Sequence, residues 1–353
     1  MLTLQKVNKL VKHSVTTNVP ENLRHRISCG IQAFSLQAFT SMNANGRSLA
    51  ANRKTGESRV YRVIHDERTP NLLMRLLLSL LPKVPLIYCS LDHSQFGPFC
   101  IAILAVSFRK GRALPVWCQV NKSESALIAP LLDGLDQLSA LLPEDQKLVL
   151  VMDRWFCGPK LFELIIKHHW YFIARAKYDR RVWVPWEERC SIPIGEISHY
   201  ETVCWYHRRE LRMIRSELKP GMKQEQPWFL LTNLPRVGQY AASRVQVLHR
   251  YEERFEIEEA FKDVKWLQRL EWQRARKVES MQVLLLFTFF GWWLAWICFR
   301  HDQTLQQRRA RAHPKQRLSW FRTYWEALHQ LFWPDSLRFT ALQPLPRRIR
   351  AVL

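Results

Sequence analysis

Acid is what this sequence is short of. Its 353 residues carry 31 Asp and Glu against 53 Lys and Arg, a formal net charge of +22. So large an excess repels itself unless an anionic partner neutralises it. Nucleic acid is the first partner this points to and an anionic membrane surface the second; a merely basic soluble protein is the plain alternative. Also missing is any C-x-x-C pair. The eight cysteines (Cys29, Cys89, Cys100, Cys118, Cys157, Cys190, Cys204 and Cys298) are scattered, several of them inside apolar runs. That excludes the usual zinc spacing and a disulfide framework, and reads as reduced core thiols of a cytosolic protein. The start, Met1 to Val19, has no continuous apolar stretch, so no signal peptide is expected. No internal repeat is visible.

What is present is enough apolar material for a packed core: 47% hydrophobic residues and 24% charged. The length suits one large domain or two to three small ones. One run, MQVLLLFTFFGWWLAWICF from Met281 to Phe299, is long enough to span a bilayer, with Trp292, Trp293 and Trp296 toward one end. The alternative is a helix buried on all sides in a soluble domain, and this is the expectation adopted here.

Along the chain, residues 1–80 read as a helical region suited to DNA binding. Within it Asn43 to Arg68 is rich in Lys, Arg, Asn and Ser, either a basic connection lying on DNA or a solvated loop. A core follows over 81–300. Leu86–Leu91 is a short apolar run ending at Asp92; Phe99–Phe108 and Ala113–Val120 flank the polar turn Arg109-Lys110-Gly111-Arg112. These fit a three-stranded antiparallel meander. Ser125–Leu142 has helical spacing, with Ser123 or Ser125 as its cap. KLVLVM, Lys147–Met152, is a buried-type strand ending at Asp153. A helix from Pro159 to His168 and a strand from Trp170 to Ala176 follow. Residues 178–228, with Trp183, Trp186, Trp205 and Trp228, look like a β-rich insertion. Trp228–Leu234 returns to the sheet, and one long helix is expected from Ser243 to Trp266. The tail, 301–353, holds ten Lys and Arg against three Asp and Glu, with Arg308, Arg309 and Arg311 able to bind phosphate or simply to face solvent.

Asp92 and Asp153 each follow a buried-type strand. In an open α/β sheet such strand ends border the ligand crevice, where a rigidly based carboxylate can hold a divalent cation. The third element is the helix YEERFEIEEAFKDVK. At about 100° per residue, with Tyr251 at 0°, Arg254 falls near −60°, Glu258 near −20°, Lys265 near −40° and Lys262 near +20°. One narrow face thus carries a carboxylate with Tyr, Arg and Lys. Ile257, Ala260, Phe261 and Val264 point to the core. Glu252, Glu253 and Glu256 fall away from the polar face, and Glu259 borders it less closely than Glu258. A metal cage completed by Glu258 beside phosphate-holding Arg254 and Lys265 is the functional reading. A solvated face laced with ion pairs is the plain one, and geometry alone leaves both open.

Tyr251-x2-Arg254-x3-Glu258-x6-Lys265 resembles the YREK signature of bacterial insertion-sequence transposases of the IS four family. MDRWFCG around Asp153 is similar to the family's segment at its second acid, and LIYCSLDHSQF to the strand bearing its first. The resemblance runs from about Pro85 to Arg300. It implies a ribonuclease-H-like α/β core, a mixed sheet flanked by helices and interrupted by a β-rich insertion, with the Asp92 and Asp153 strands side by side. It implies a DDE transposase in which Asp92, Asp153 and Glu258 hold two Mg²⁺ ions, Mn²⁺ being able to substitute. Tyr251, Arg254 and Lys265, with Lys262 and Arg154, are then the DNA-holding residues. Trp183, Trp186 or Trp205 would stack on a flipped base, against which core packing of each Trp is the plain reading. The partners implied are the element's terminal inverted repeats and target DNA, in a homodimer acting in the bacterial cytoplasm at the nucleoid, without a membrane. His93 is read as supporting or solvent-facing. The sequence departs from the family at Trp155, where Gly is usual, and in its short N-terminal region. A catalytically inactive DNA-binding derivative, a stand-alone nuclease and a single-span membrane protein are the rivals.

Overall fold

The computed structural model describes residues 27, 53–107, 113–187, 190–217, 227–266, 275–301 and 303–311. The chain divides into two compact units, Met1–Thr69 with Phe287–Leu353, and Pro70–Leu286. In the first, α1 (Arg53–Ile64) is helical, as expected of the region 1–80, within the stretch that read as a basic connection or a solvated loop; the part of that stretch before Arg53 lies outside the described residues. Tyr61 of α1 is exposed and stacks on His65, with ring centroids 4.0 Å apart. Most of the expected N-terminal helical region and of the basic tail also falls outside the described residues.

The second unit begins at its N-terminal side with α2 (Thr69–Ser79) and is built on one sheet. Three apolar runs make the expected meander: β1 (Leu86–Phe96), β2 (Phe99–Ser107) and β3 (Ala113–Asn121), all antiparallel. β4 (Lys147–Met152) lies parallel to β1, and β5 (Tyr171–Arg175) parallel to β4. Parallel neighbours need crossovers. These are α3 (Ile128–Ser139) before β4 and α4 (Pro159–Lys167) before β5. Pro159 opens α4 where a missing N–H costs nothing. Neither Ser123 nor Ser125 caps α3: the residue before it is Leu127, with no side-chain cap, and the two serine hydroxyls bond to each other at 3.3 Å.

The insertion is a continuation of the sheet. It contains a small ribbon, β6 (Arg181–Val182) with β7 (Ile192–Pro193), and a hairpin, β8 (Glu201–Tyr206) with β9 (Arg209–Arg215). The hairpin turns at His207 and Arg208, both at positive φ, the twist that two-residue hairpin loops require. β10 (Phe229–Thr232) then pairs antiparallel with both β5 and β9. The eight-stranded order is β3-β2-β1-β4-β5-β10-β9-β8. This mixed α/β sheet flanked by helices agrees with a ribonuclease-H-like core.

Two helices stand where one was expected. α5 (Arg244–Glu253) starts at a capping box, Ser243 accepting from the Gln246 N–H while the Gln246 side chain accepts from the Ser243 N–H. α6 (Glu256–Trp266) follows after a break at Arg254-Phe255. α5 is seated on the sheet by one cluster: Val247 and Tyr251 pack with Val149 and Val151 of β4, Ile173 of β5, Ile214 of β9 and Leu230 of β10. α7 (Val278–His301) takes up the long apolar run. Met281, Val283 to Trp293, and Trp296 are buried, as expected for an interior helix. Among the described residues no helix is long and apolar enough to cross a membrane. Gln282 ties the first turns of α7 to β3, its amide donating to the Cys118 carbonyl at 3.1 Å. The last described helix is α8 (Gln303–Arg311).

Candidate active site

The parallel pairing of β1 with β4 sets the site. Their register ends at Leu91 opposite Met152, so Asp92 and Asp153 come next, side by side. Asp153 follows the last residue of β4, as expected. Asp92 does not end its strand: β1 runs on to Phe96 because His93 to Phe96 pair with β2. Asp92 is therefore held in a strand and is only 8% exposed. Its Oδ1 accepts the His93 N–H at 2.8 Å. Asp153 is half-buried, and its Oδ1 accepts the Trp155 N–H at 2.8 Å, which fixes the carboxylate on its own turn.

Glu258 reaches this corner through Arg254. The Nη1 of Arg254 donates to Asp92 Oδ2 at 2.8 Å and its Nη2 to Glu258 Oε1 at 2.8 Å. One guanidinium thus joins an acid of β1 to an acid of α6. Arg254 is 5% exposed, while Glu258 is exposed. Burial disfavours the charge of Arg254, yet Tyr251, Asp92 and Glu258 together outweigh it and hold its pKa above the ordinary arginine value. Burial raises the Asp92 carboxyl, Arg254 and the His93 N–H oppose it, and the neighbouring charge of Asp153 adds to the rise; the net direction is up.

Two expectations change here. Tyr251 is not on the polar face: its side chain is fully buried (0% exposed) in the α5 cluster, edge-on to Trp228 at 5.0 Å. The helical phase that placed it beside Glu258 fails at the break after α5. Trp183 and Trp186 are not core residues either, each being 47% exposed. Trp183 bridges Trp205 by paired backbone hydrogen bonds of 3.0 and 2.8 Å, and Trp186 lies against His199 at 4.5 Å. Trp205 is half-buried. Of the expected DNA-holding residues, Arg154 is exposed on the turn after Asp153. Lys262 is exposed and pairs with Glu259, and Lys265 lies over the Phe96 ring at 5.0 Å.

Sequence reasoning missed the aromatic wall beside the acids. The His93 ring sits against Trp155 at 4.4 Å and Phe156 at 5.6 Å, and its Nε2 is 3.2 Å from Glu124 Oε1. The signals were the adjacency of His93 to Asp92 and the closeness of Trp155 and Phe156 to Asp153 in the chain. It also missed Arg212, a buried arginine of β9. Its Nη1 donates to the carbonyls of Leu234, Pro235 and Ala242 at 2.8, 3.2 and 2.9 Å, and Nε and Nη2 to Glu201. That side chain fixes the loop from which α5 starts.

Among the described residues no three His, Cys, Asp or Glu side chains converge closely enough to hold a metal ion. The donor chemistry nevertheless suits a hard divalent cation: the candidate ligands are three carboxylates, all oxygen, with Asp92 on β1 beside Asp153 just past the end of β4. Arg254 supplies positive charge to Asp92 and to Glu258.

A family model described as the transposase DDE domain matches residues 99–294. The match runs from β2 into α7, contains Asp153 and Glu258, and begins just after the end of β1. A comparison with curated proteins found no match.

Proposed function

The chain belongs to the transposase DDE-domain family, and from that premise we propose that it is a DNA transposase of the IS four type, cutting and joining strands at the ends of an insertion sequence. The observation that carries this reading is the Arg254 fork, which links Asp92, on a strand beside Asp153, to Glu258 on α6. Tyr251, Arg254, Glu258 and Lys265 supply the YREK signature.

Asp92, Asp153 and Glu258 would hold the divalent ions, two Mg²⁺ with Mn²⁺ able to substitute. When bound, these supply Lewis acidity at the scissile phosphate and a more acidic water. The chain's own residues do the rest. Arg254 offers two N–H groups in a fork to a backbone phosphate, Lys262 and Lys265 act as point charges along it, and Arg154 adds a second guanidinium. Tyr251 backs Arg254 from the core, its ring 5.8 Å from the guanidinium carbon. Trp183 and Trp186, exposed on the insertion, are suited to stack on an unpaired base, with Trp205 the backbone bridge partner of Trp183. Water attacks the phosphodiester at the element's end and leaves a 3′-hydroxyl, which in turn attacks a phosphodiester of target DNA. Terminal inverted repeats and target DNA are the partners. Two ends need two active sites, so the working form is a homodimer, at the nucleoid of a bacterial cytoplasm. The basic N-terminal region, 1–80, and the tail, 301–353, add to DNA binding around the 81–300 core.

The test is cleavage of DNA carrying the element's ends in Mg²⁺. Asp92→Ala, Asp153→Ala and Glu258→Ala should each lose at least about a hundredfold in rate. Full activity in any of the three overturns the assignment. Cleavage without joining of paired ends would make the protein a nuclease.

A further inference from the structure

Arg254 is buried, yet both of its terminal nitrogens are spent on acids that the functional reading assigns to metal. It also stands at a break in the chain. Arg254 and Phe255 separate α5 from α6, and the N–H groups of Arg254, Phe255, Ile257 and Glu258 all bond three residues back, at 3.0 to 3.2 Å. The guanidinium lies 4.7 Å from the Phe255 ring and 5.8 Å from that of Tyr251, so aromatic faces hold it on the acids. Asp92 is fully engaged, Oδ1 by the His93 N–H and Oδ2 by Arg254.

A guanidinium and a divalent cation on the same two carboxylates repel each other, and at the Asp92 end, where both Arg254 and Asp92 are buried, that repulsion is poorly screened. We propose that Arg254 is the resident counter-cation of the acid cluster, competing with divalent metal for Asp92 and Glu258 and so setting the affinity of the site. The proposal rests on the assignment of these acids as metal ligands. It has a consequence for DNA. The nitrogens that hold the acids are the ones a phosphate would use, so metal that displaces Arg254 frees its fork for the backbone. Metal and DNA therefore favour each other's binding.

The test is Mn²⁺ binding to the full chain, read by electron paramagnetic resonance of free Mn²⁺ and by calorimetry, without turnover. Arg254→Gln removes the competing charge and should bind Mn²⁺ about tenfold tighter than wild type. Arg254→Lys keeps the charge but can pair with only one acid, so it should fall between the two. An arginine that merely held the acids in place would give the opposite sign, weaker binding in both variants. Unchanged or weaker binding in Arg254→Gln, or in Arg254→Lys should the first fail to fold, overturns the proposal. Asp153→Asn separates the two levels of the argument. If it abolishes Mn²⁺ binding while the Arg254 variants do not tighten it, only the counter-cation role falls. If Mn²⁺ binding survives Asp153→Asn, or no form binds Mn²⁺, the metal assignment itself falls and the proposal with it.

Discussion

Asp92 shows how far a single carboxyl can be read. That it would be rigidly based followed from its place after an apolar run; that it would be buried did not. That it would sit inside a strand did not, because DHSQF looks polar and only pairing with β2 makes it β. Its raised pKa, from burial and from Asp153, has a definite sign in stability. Above the ordinary value of 3.8, the folded state still holds a proton that the unfolded chain has released. Wild type therefore loses stability relative to Asp92→Asn as pH rises from there through the folded pKa. Thermal melts of both proteins across that range should show the wild-type advantage shrinking with pH. An advantage that grows with pH would mean that Arg254 outweighs burial and Asp153. The choice of Glu258 came from helical phase, and α6 keeps Glu258, Lys262 and Lys265 on one continuous helix. Tyr251 was misplaced by the same arithmetic. No Pro or Gly announces the break at Arg254; its i,i+4 pair with Glu258 is local, but its pair with Asp92 is tertiary and invisible to periodicity.

At the scale of elements, apolar runs were legible and what fastens them was not. β2, β4 and β5 are buried apolar runs, and a helix before β4 and another before β5 provide the crossovers that the parallel pairing of those two strands requires. The join of the insertion to the main sheet was hidden, because β9 is RELRMIR, whose charges read as an edge. Arg212 is buried among them and clamps the loop ahead of α5 through three carbonyls. Arg212→Ala leaves those carbonyls without their donor, while Glu201 keeps Arg236 at 3.0 Å. The expected loss is about 2–4 kcal/mol of unfolding free energy, measured by urea titration. A variant as stable as wild type would show that β9 does not anchor the start of α5.

For the molecule as a whole, net charge pointed first to a nucleic-acid partner before any motif was considered, and the family match agrees with that direction. The long apolar helix was the main ambiguity, since composition is the same for a membrane span and a protein interior. Burial of Met281 to Trp293 in α7, Gln282 alone being partly exposed, resolves it for those residues. What the whole account depends on is one glutamate in an acidic run, and its neighbour provides the control. Glu259 adjoins Glu258 on α6 and pairs with Lys262. The deciding measurement is Mg²⁺-dependent strand cleavage at the element's end by Glu258→Gln and Glu259→Gln, two isosteric changes one residue apart. Glu258→Gln should fall by at least about a hundredfold and Glu259→Gln should stay within about threefold of wild type. Wild-type cleavage by Glu258→Gln, or loss of cleavage in Glu259→Gln alone, would contradict the account.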